Sequence, residues 1–178
     1  MPDNTALPLA QALLACLCAA LDDTVGGPVC SCCLAPGPEP IDCCECAEGE
    51  GKAWVRVVRV FPTSARWPLP ALDPSACVAG GYAVELELGV TRCVATIDDD
   101  GTPPTCEQRN ADTIKILEDA AAMRAAVSCC YPATELGRQW RSIPGEWRPV
   151  EPQGGCAGGV MTITIESADC CPPAAPPG

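Results

Sequence analysis

The sequence predicts an α+β fold: a mainly antiparallel sheet with two helices packed on one face and long cysteine-rich loops. Three observations predict it. Residues 6–23 and 105–130 repeat their apolar side chains with helical periodicity. Residues 54–61, 82–90 and 160–166 have strand character, and the first two follow one another directly, which favours antiparallel pairing. The 20 prolines and 16 glycines break up the remainder into loops.

The first helix places Leu9, Leu13, Leu17 and Leu21 four residues apart, with Leu14 beside them. Pro8 suits its first turn, and Gly26-Gly27-Pro28 ends it. This Leu/Ala segment has Asp3 where a secretion signal needs positive charge, contains Gln11, and is too short to span a bilayer. It is read as a core helix, with no secretion signal and no membrane segment. Residues 26–51 then form a cysteine-rich loop, because Ala-Pro-Gly-Pro-Glu-Pro at 35–40 sustains neither helix nor central strand.

The stretch WVRVVRVF (54–61) is β-branched and stopped by Pro62; strict alternation puts one arginine on each face. A long loop covers 62–80. In the next strand Tyr82, Val84, Leu86, Leu88 and Val90 point one way, and Glu85 and Glu87 point to solvent. Asp98-Asp99-Asp100-Gly101 makes a turn. Thr105 and Gln108 form a capping box for the second helix, whose buried stripe is read as Ile114, Leu117, Ala121 and Ala125, closing near Cys129-Cys130. Residues 131–159 are read as a loop with short strand potential at 146–150. The last strand turns Met161, Ile163 and Ile165 to one side. A single domain is assigned to 1–171, with the 26–51 insertion, and a flexible Pro-rich tail to 172–178.

Charge and composition exclude several functions. The net charge is −12, and residues 1–50 carry eight acids and no Lys or Arg, whereas 51–97 carry five bases against three acids. A surface that grips nucleic-acid phosphates needs the opposite balance. The chain has no histidine, which removes the usual general base and every Ser-His-Asp or Cys-His arrangement. Asp98–Gly101 lacks the alternating ligands of a calcium loop. Residues 154–159 lack the Lys-Ser/Thr of a phosphate loop. No catalytic residues and no enzyme activity are assigned.

The 16 cysteines remain. Cys30, Cys33, Cys43 and Cys46 have C-x2-C…C-x2-C spacing, which suits tetrahedral zinc. The competing reading is disulfides that tie down loops and element ends, with Cys30, Cys32, Cys33, Cys43, Cys44, Cys46, Cys77, Cys93, Cys106, Cys129, Cys130, Cys156, Cys170 and Cys171 as candidates. Reduced packing thiols are the third. A redox centre is disfavoured, because no C-x-x-C precedes a helix in a βαβ context. No cofactor other than zinc is considered.

Several stretches together resemble a known family. They are the Leu/Ala helix at 6–21, CSCC (30–33), CC-x-C (43–46), WVRVVRVFP (54–62), VELELGVTRC (84–93), the Asp-Asp-Asp-Gly-Thr-Pro-Pro turn (98–104), ADTIKILEDAAAMRAAVSCC (111–130) and GGCAGGVMTITI (154–165). In content and order they resemble tail terminator and head-to-tail connector proteins of siphophages of actinobacteria. The resemblance implies an α/β fold and a structural virion protein of the tail or neck, assembled in the host cytoplasm. It implies a homo-oligomeric ring, a hexamer, that caps the tail tube, ends its polymerisation and joins it to the head. Its implied partners are the major tail tube protein, the head-completion proteins, and viral DNA passing through the lumen without specific binding. A head-completion protein of the neck is the alternative, and a small zinc-binding adaptor module is the second.

Overall fold

The computed structural model describes residue 3 and residues 5–38, 51–63, 67–71 and 81–169. Helix α1 (Leu7–Leu21) begins with Pro8 in its first turn. Just ahead of it, the Asp3 carboxylate accepts from the backbone N–H groups of Thr5, Ala6 and Leu7 at 2.8, 3.1 and 3.1 Å. The bond from Thr5 leads the causes that hold its pKa below the ordinary carboxylate value. Strands β1 (Ser31–Ala35), β2 (Lys52–Pro62) and β3 (Gly81–Cys93) follow. Helix α2 (Cys106–Ala125) continues through a π-helical turn at Ala126–Cys130. Two short helices, α3 (Tyr131–Ala133) and α4 (Glu135–Gln139), lead into β4 (Ser142–Gln153) and β5 (Cys156–Asp169).

The sheet order is β1-β2-β3-β5-β4. Every pair is antiparallel except β1 with β2. Leu9, Leu13, Leu17 and Leu21 of α1 and Met123, Ala126 and Val127 from the second helical segment form one core with Val55, Val84, Leu86, Leu88, Val90, Met161, Ile163 and Ile165. Both helices therefore cover the same face of the sheet, as the alternation in β3 and β5 requires. The Thr105–Gln108 capping box is formed.

Five expectations need correction. CSCC does not lie in an irregular loop: Ser31–Ala35 is an edge strand, paired with Lys52–Arg56. Residues 131–159 are not mainly loop; they hold α3, α4 and a 12-residue strand that includes the 146–150 stretch read as having strand potential. The β2 arginines do not lie on opposite faces, because a bulge between Val57 and Arg59 shifts the register and sets both against β3 glutamates. Glu87 is consequently not on open solvent; it is 8% exposed and holds Arg56 through two bonds of 2.7 and 3.1 Å. The α2 stripe is inverted. Asp119, Ala120, Ala122 and Met123 are buried, while Ile114 and Leu117 are 52% and 54% exposed and Ala121 and Ala125 face solvent. The 172–178 tail lies outside the described residues.

Two glycines let tryptophans lie against the sheet. A Cβ on Gly89 would overlap the Trp54 ring, and one on Gly159 would overlap that of Trp147. Trp54 packs on the face away from the helices, where β2 pairs with β3 at Gly89. Trp147 packs on the helical face, opposite Met161.

Candidate functional site

The cysteines form a framework around α1. Cys16 and Cys18 are two residues apart on a helix, so they project about 200° apart. Cys16 bonds Cys130 at the end of the π-helical turn, and Cys18 bonds Cys32 in β1. One helix is thereby stapled to the second helical segment on one side and to the sheet edge on the other. Sequence reading missed Cys16 and Cys18. The available signal was their placement on different faces of a helix, one of them among the core leucines.

The partners follow from local geometry. In β1 the pleat sends adjacent side chains to opposite faces. Cys32 stands opposite Ala53 on the helical face and reaches α1, whereas Cys33 stands opposite Trp54 and keeps a free, exposed thiol. Cys130 turns toward α1, while its neighbour Cys129 and the helix-start Cys106 are free and exposed. These three were disulfide candidates and carry thiols instead. Cys30 and Cys156 are disulfide-bonded, and Cys93 stands opposite Cys156 on the neighbouring strand. Cys43, Cys44, Cys46, Cys77, Cys170 and Cys171 lie outside the described residues.

For zinc, the four-thiolate set needs Cys30, Cys33, Cys43 and Cys46. Cys30 is oxidised here, and a disulfide sulfur is not a thiolate ligand. Cys33 is an exposed thiol, and the other two lie outside the described residues. Among the described residues, no group of three or more metal-ligating side chains comes together.

A second node, also missed in the sequence, is Arg92. It follows the core residues of β3 and is 1% exposed. Its guanidinium donates to both Asp119 oxygens at 2.8 Å and to the Gly26 and Gly27 carbonyls at 3.0 and 2.8 Å. One buried side chain thus ties the end of β3 to α2 and to the turn after α1. Its charge is matched by Asp119 and its donors are satisfied, which is what makes such burial tolerable.

The sheet face away from the helices carries ion pairs: Arg56 with Glu87, Arg59 with Glu85, and Arg141 with Glu166. Arg141 bonds both Glu166 oxygens at 2.7 and 2.8 Å and stacks 4.9 Å from the Trp67 ring. Its hydrogen bonds hold the Glu166 carboxyl below the ordinary value. These carboxylates are occupied by guanidinium groups in pairs, an arrangement suited to holding strands in register rather than to proton transfer.

Among the described residues, two groups of neighbouring apolar side chains are exposed on single elements. One is the α2 stripe Ile114, Leu117, Ala121 and Ala125, beside an open groove of about 540 Å³ shared with the end of α1. The other is β2 beyond the end of β1, where Val57, Val58 and Val60 are exposed. No described helix is long and apolar enough to cross a membrane. The geometry therefore defines an α+β domain with stapled helices and, among the described residues, exposed apolar side chains on α2 and β2. Comparison with protein-family models and with curated proteins gives no match.

Proposed function

We propose that this protein is a structural component of a siphophage tail or neck, a tail terminator. In this reading identical copies close into a ring, a hexamer by family resemblance. The ring caps the tail tube, ends its growth and presents a face to the head. The observation that carries the reading is the exposed apolar stripe on α2. A domain that already buries a full core has no internal use for Ile114 and Leu117 at half exposure, and such a stripe suits contact with another chain. The acidic excess suits a lumen through which DNA slides, because like charge repels phosphate. Disulfides around α1 suit a particle that is assembled once and never repaired.

The test is deletion of the gene from its phage, followed by electron microscopy of the lysate. A tail terminator predicts tubes of uncontrolled, excessive length, with no heads attached. Tails of normal length beside unattached heads would instead assign the protein to head completion. Normal virions would overturn both.

A further inference from the structure

We propose that the Cys18–Cys32 disulfide is a redox-controlled strap: its reduction by a dithiol releases β1 from the sheet edge, while Cys16–Cys130 stays closed. This goes beyond the tail-terminator reading and does not depend on it. β1 has little else to hold it. It is a five-residue edge strand with β2 as its sheet neighbour, and among the described strands theirs is the one parallel pairing, a geometry slightly less stable per residue. Of its residues only Ala35 is buried; Cys32 and Leu34 are half-buried against the core. Cys30, just ahead of the strand, is bridged separately and donates its N–H to the Gly51 carbonyl at 3.0 Å, which makes it the hinge. The other staple reinforces a contact that stands without it, because Met123, Ala126, Val127 and Tyr131 beside Cys130 are fully buried.

Exposure decides which bridge yields. In exchange, a thiolate attacks one sulfur and expels the other as a thiolate. Cys16 is 3% exposed among the α1 leucines, so an external thiolate does not reach its sulfur. Cys130 is exposed, but attack there expels the Cys16 thiolate into an apolar core, where a charge is costly to place. The free Cys129 thiol beside it meets the same obstacle. Cys18 and Cys32 are both half-buried, so either sulfur can be attacked and either leaving thiolate meets water. Cys33 cannot take the place of Cys32, because the pleat turns it to the other face of the sheet. In the reaction, one thiolate of the dithiol forms a mixed disulfide with one cysteine and expels the other, which takes up a proton. The second thiol, deprotonated, then closes the reductant into its cyclic disulfide and expels the remaining cysteine thiolate, which is protonated in turn. Two electrons and two protons pass to the protein, and the dithiol is oxidised. Release leaves the β2 backbone over Lys52–Arg56 without its strand partner, and that newly open edge is the output of the switch.

The experiment uses the full oxidised chain. Its free thiols are alkylated with a light reagent, the protein is titrated with dithiothreitol under native conditions, and newly formed thiols are alkylated with a heavy one and mapped by mass spectrometry. Hydrogen exchange is read at the same reductant concentrations. Cys18 and Cys32 are expected to take the heavy label about tenfold or more faster than Cys16 and Cys130. At that stage the peptides covering 31–35 and 52–56 should exchange about tenfold or more faster than in the oxidised protein, with α1 and α2 still protected. Replacing dithiothreitol with oxidised glutathione should restore both the bridge and the protection. Equal or reversed labelling rates would overturn the proposal. So would β1 protection that survives reduction, protection that does not return, or a loss that spreads to α1 and α2. The Cys18→Ala/Cys32→Ala variant separates this bridge from that of Cys30. It should show the fast exchange with no reductant present and Cys30 still bridged, and a variant whose β1 stays protected overturns the proposal. Should that variant not fold, the wild-type titration decides alone.

Discussion

Tyr131 shows what a single buried polar atom costs. Its side chain is fully buried and its hydroxyl has no hydrogen-bond partner. Burial pushes its pKa up to about 12. The unfolded phenol ionises near 10, so the unfolded state loses its proton first and stability falls as pH rises from about 10 to about 12. Tyr131→Phe removes the unsatisfied hydroxyl without opening a void. It should be neutral or stabilising by up to about 1 kcal/mol, and it should abolish this tyrosine's share of the alkaline loss, read by urea unfolding at stepped pH. Arg92 and Asp119 are the opposite case, a buried pair with its bonds made. Asp119→Ala leaves the guanidinium charge buried without its counterion and should cost about 3–5 kcal/mol, measured as a lower urea midpoint at unchanged slope. Neither residue announces itself in the sequence. An Arg that closes an alternating strand and an Asp amid alanines look like ordinary solvent-facing charges until the turn after α1 is seen to bring Gly26 and Gly27 over them.

At the scale of elements, periodicity was legible wherever one face of an element is simply apolar. Leu9, Leu13, Leu17 and Leu21 of α1, Val84, Leu86, Leu88 and Val90 of β3, and Met161, Ile163 and Ile165 of β5 are buried as their spacing requires. It misled in α2, where Ile114 and Leu117 are the larger apolar residues yet the helix turns Asp119, Ala120, Ala122 and Met123 inward. Small side chains let α2 pack closely, and the Arg92–Asp119 bond fixes its rotation; neither carries a hydropathy signal. In β2 the bulge restored a pattern that strict alternation had split. The disulfides belong to this scale because they join elements. Cys16–Cys130 closes a separation of 114 residues and Cys18–Cys32 one of 14. Loop entropy alone gives about 5 kcal/mol for the longer bridge and about 3 for the shorter. Paired Cys→Ala variants, Cys16 with Cys130 and Cys18 with Cys32, should therefore both lower the thermal midpoint. The longer bridge should matter more, and reductant should bring the wild type toward the double-paired variant.

For the whole molecule, the fold class was readable because two helices and three strong strands leave few ways to bury their apolar faces. The edge strands were less so: residues 146–150 showed strand potential, whereas the rest of β4 and all of β1 did not. Residues 31–35 hide among cysteines, and residues 142–153 among prolines and charges, because an edge strand needs no continuous apolar face. The candidate surface was less legible still. The sequence pattern names the α2 residues correctly as one stripe and assigns them to the wrong side, which turns an apparent core into an apparent interface. The central claim is that such a surface exists to join identical copies. Native mass spectrometry of the wild-type protein, purified without reductant, tests it most directly. A closed assembly of one defined copy number, six by family resemblance, is the predicted result. A monomer at every concentration tested would contradict it.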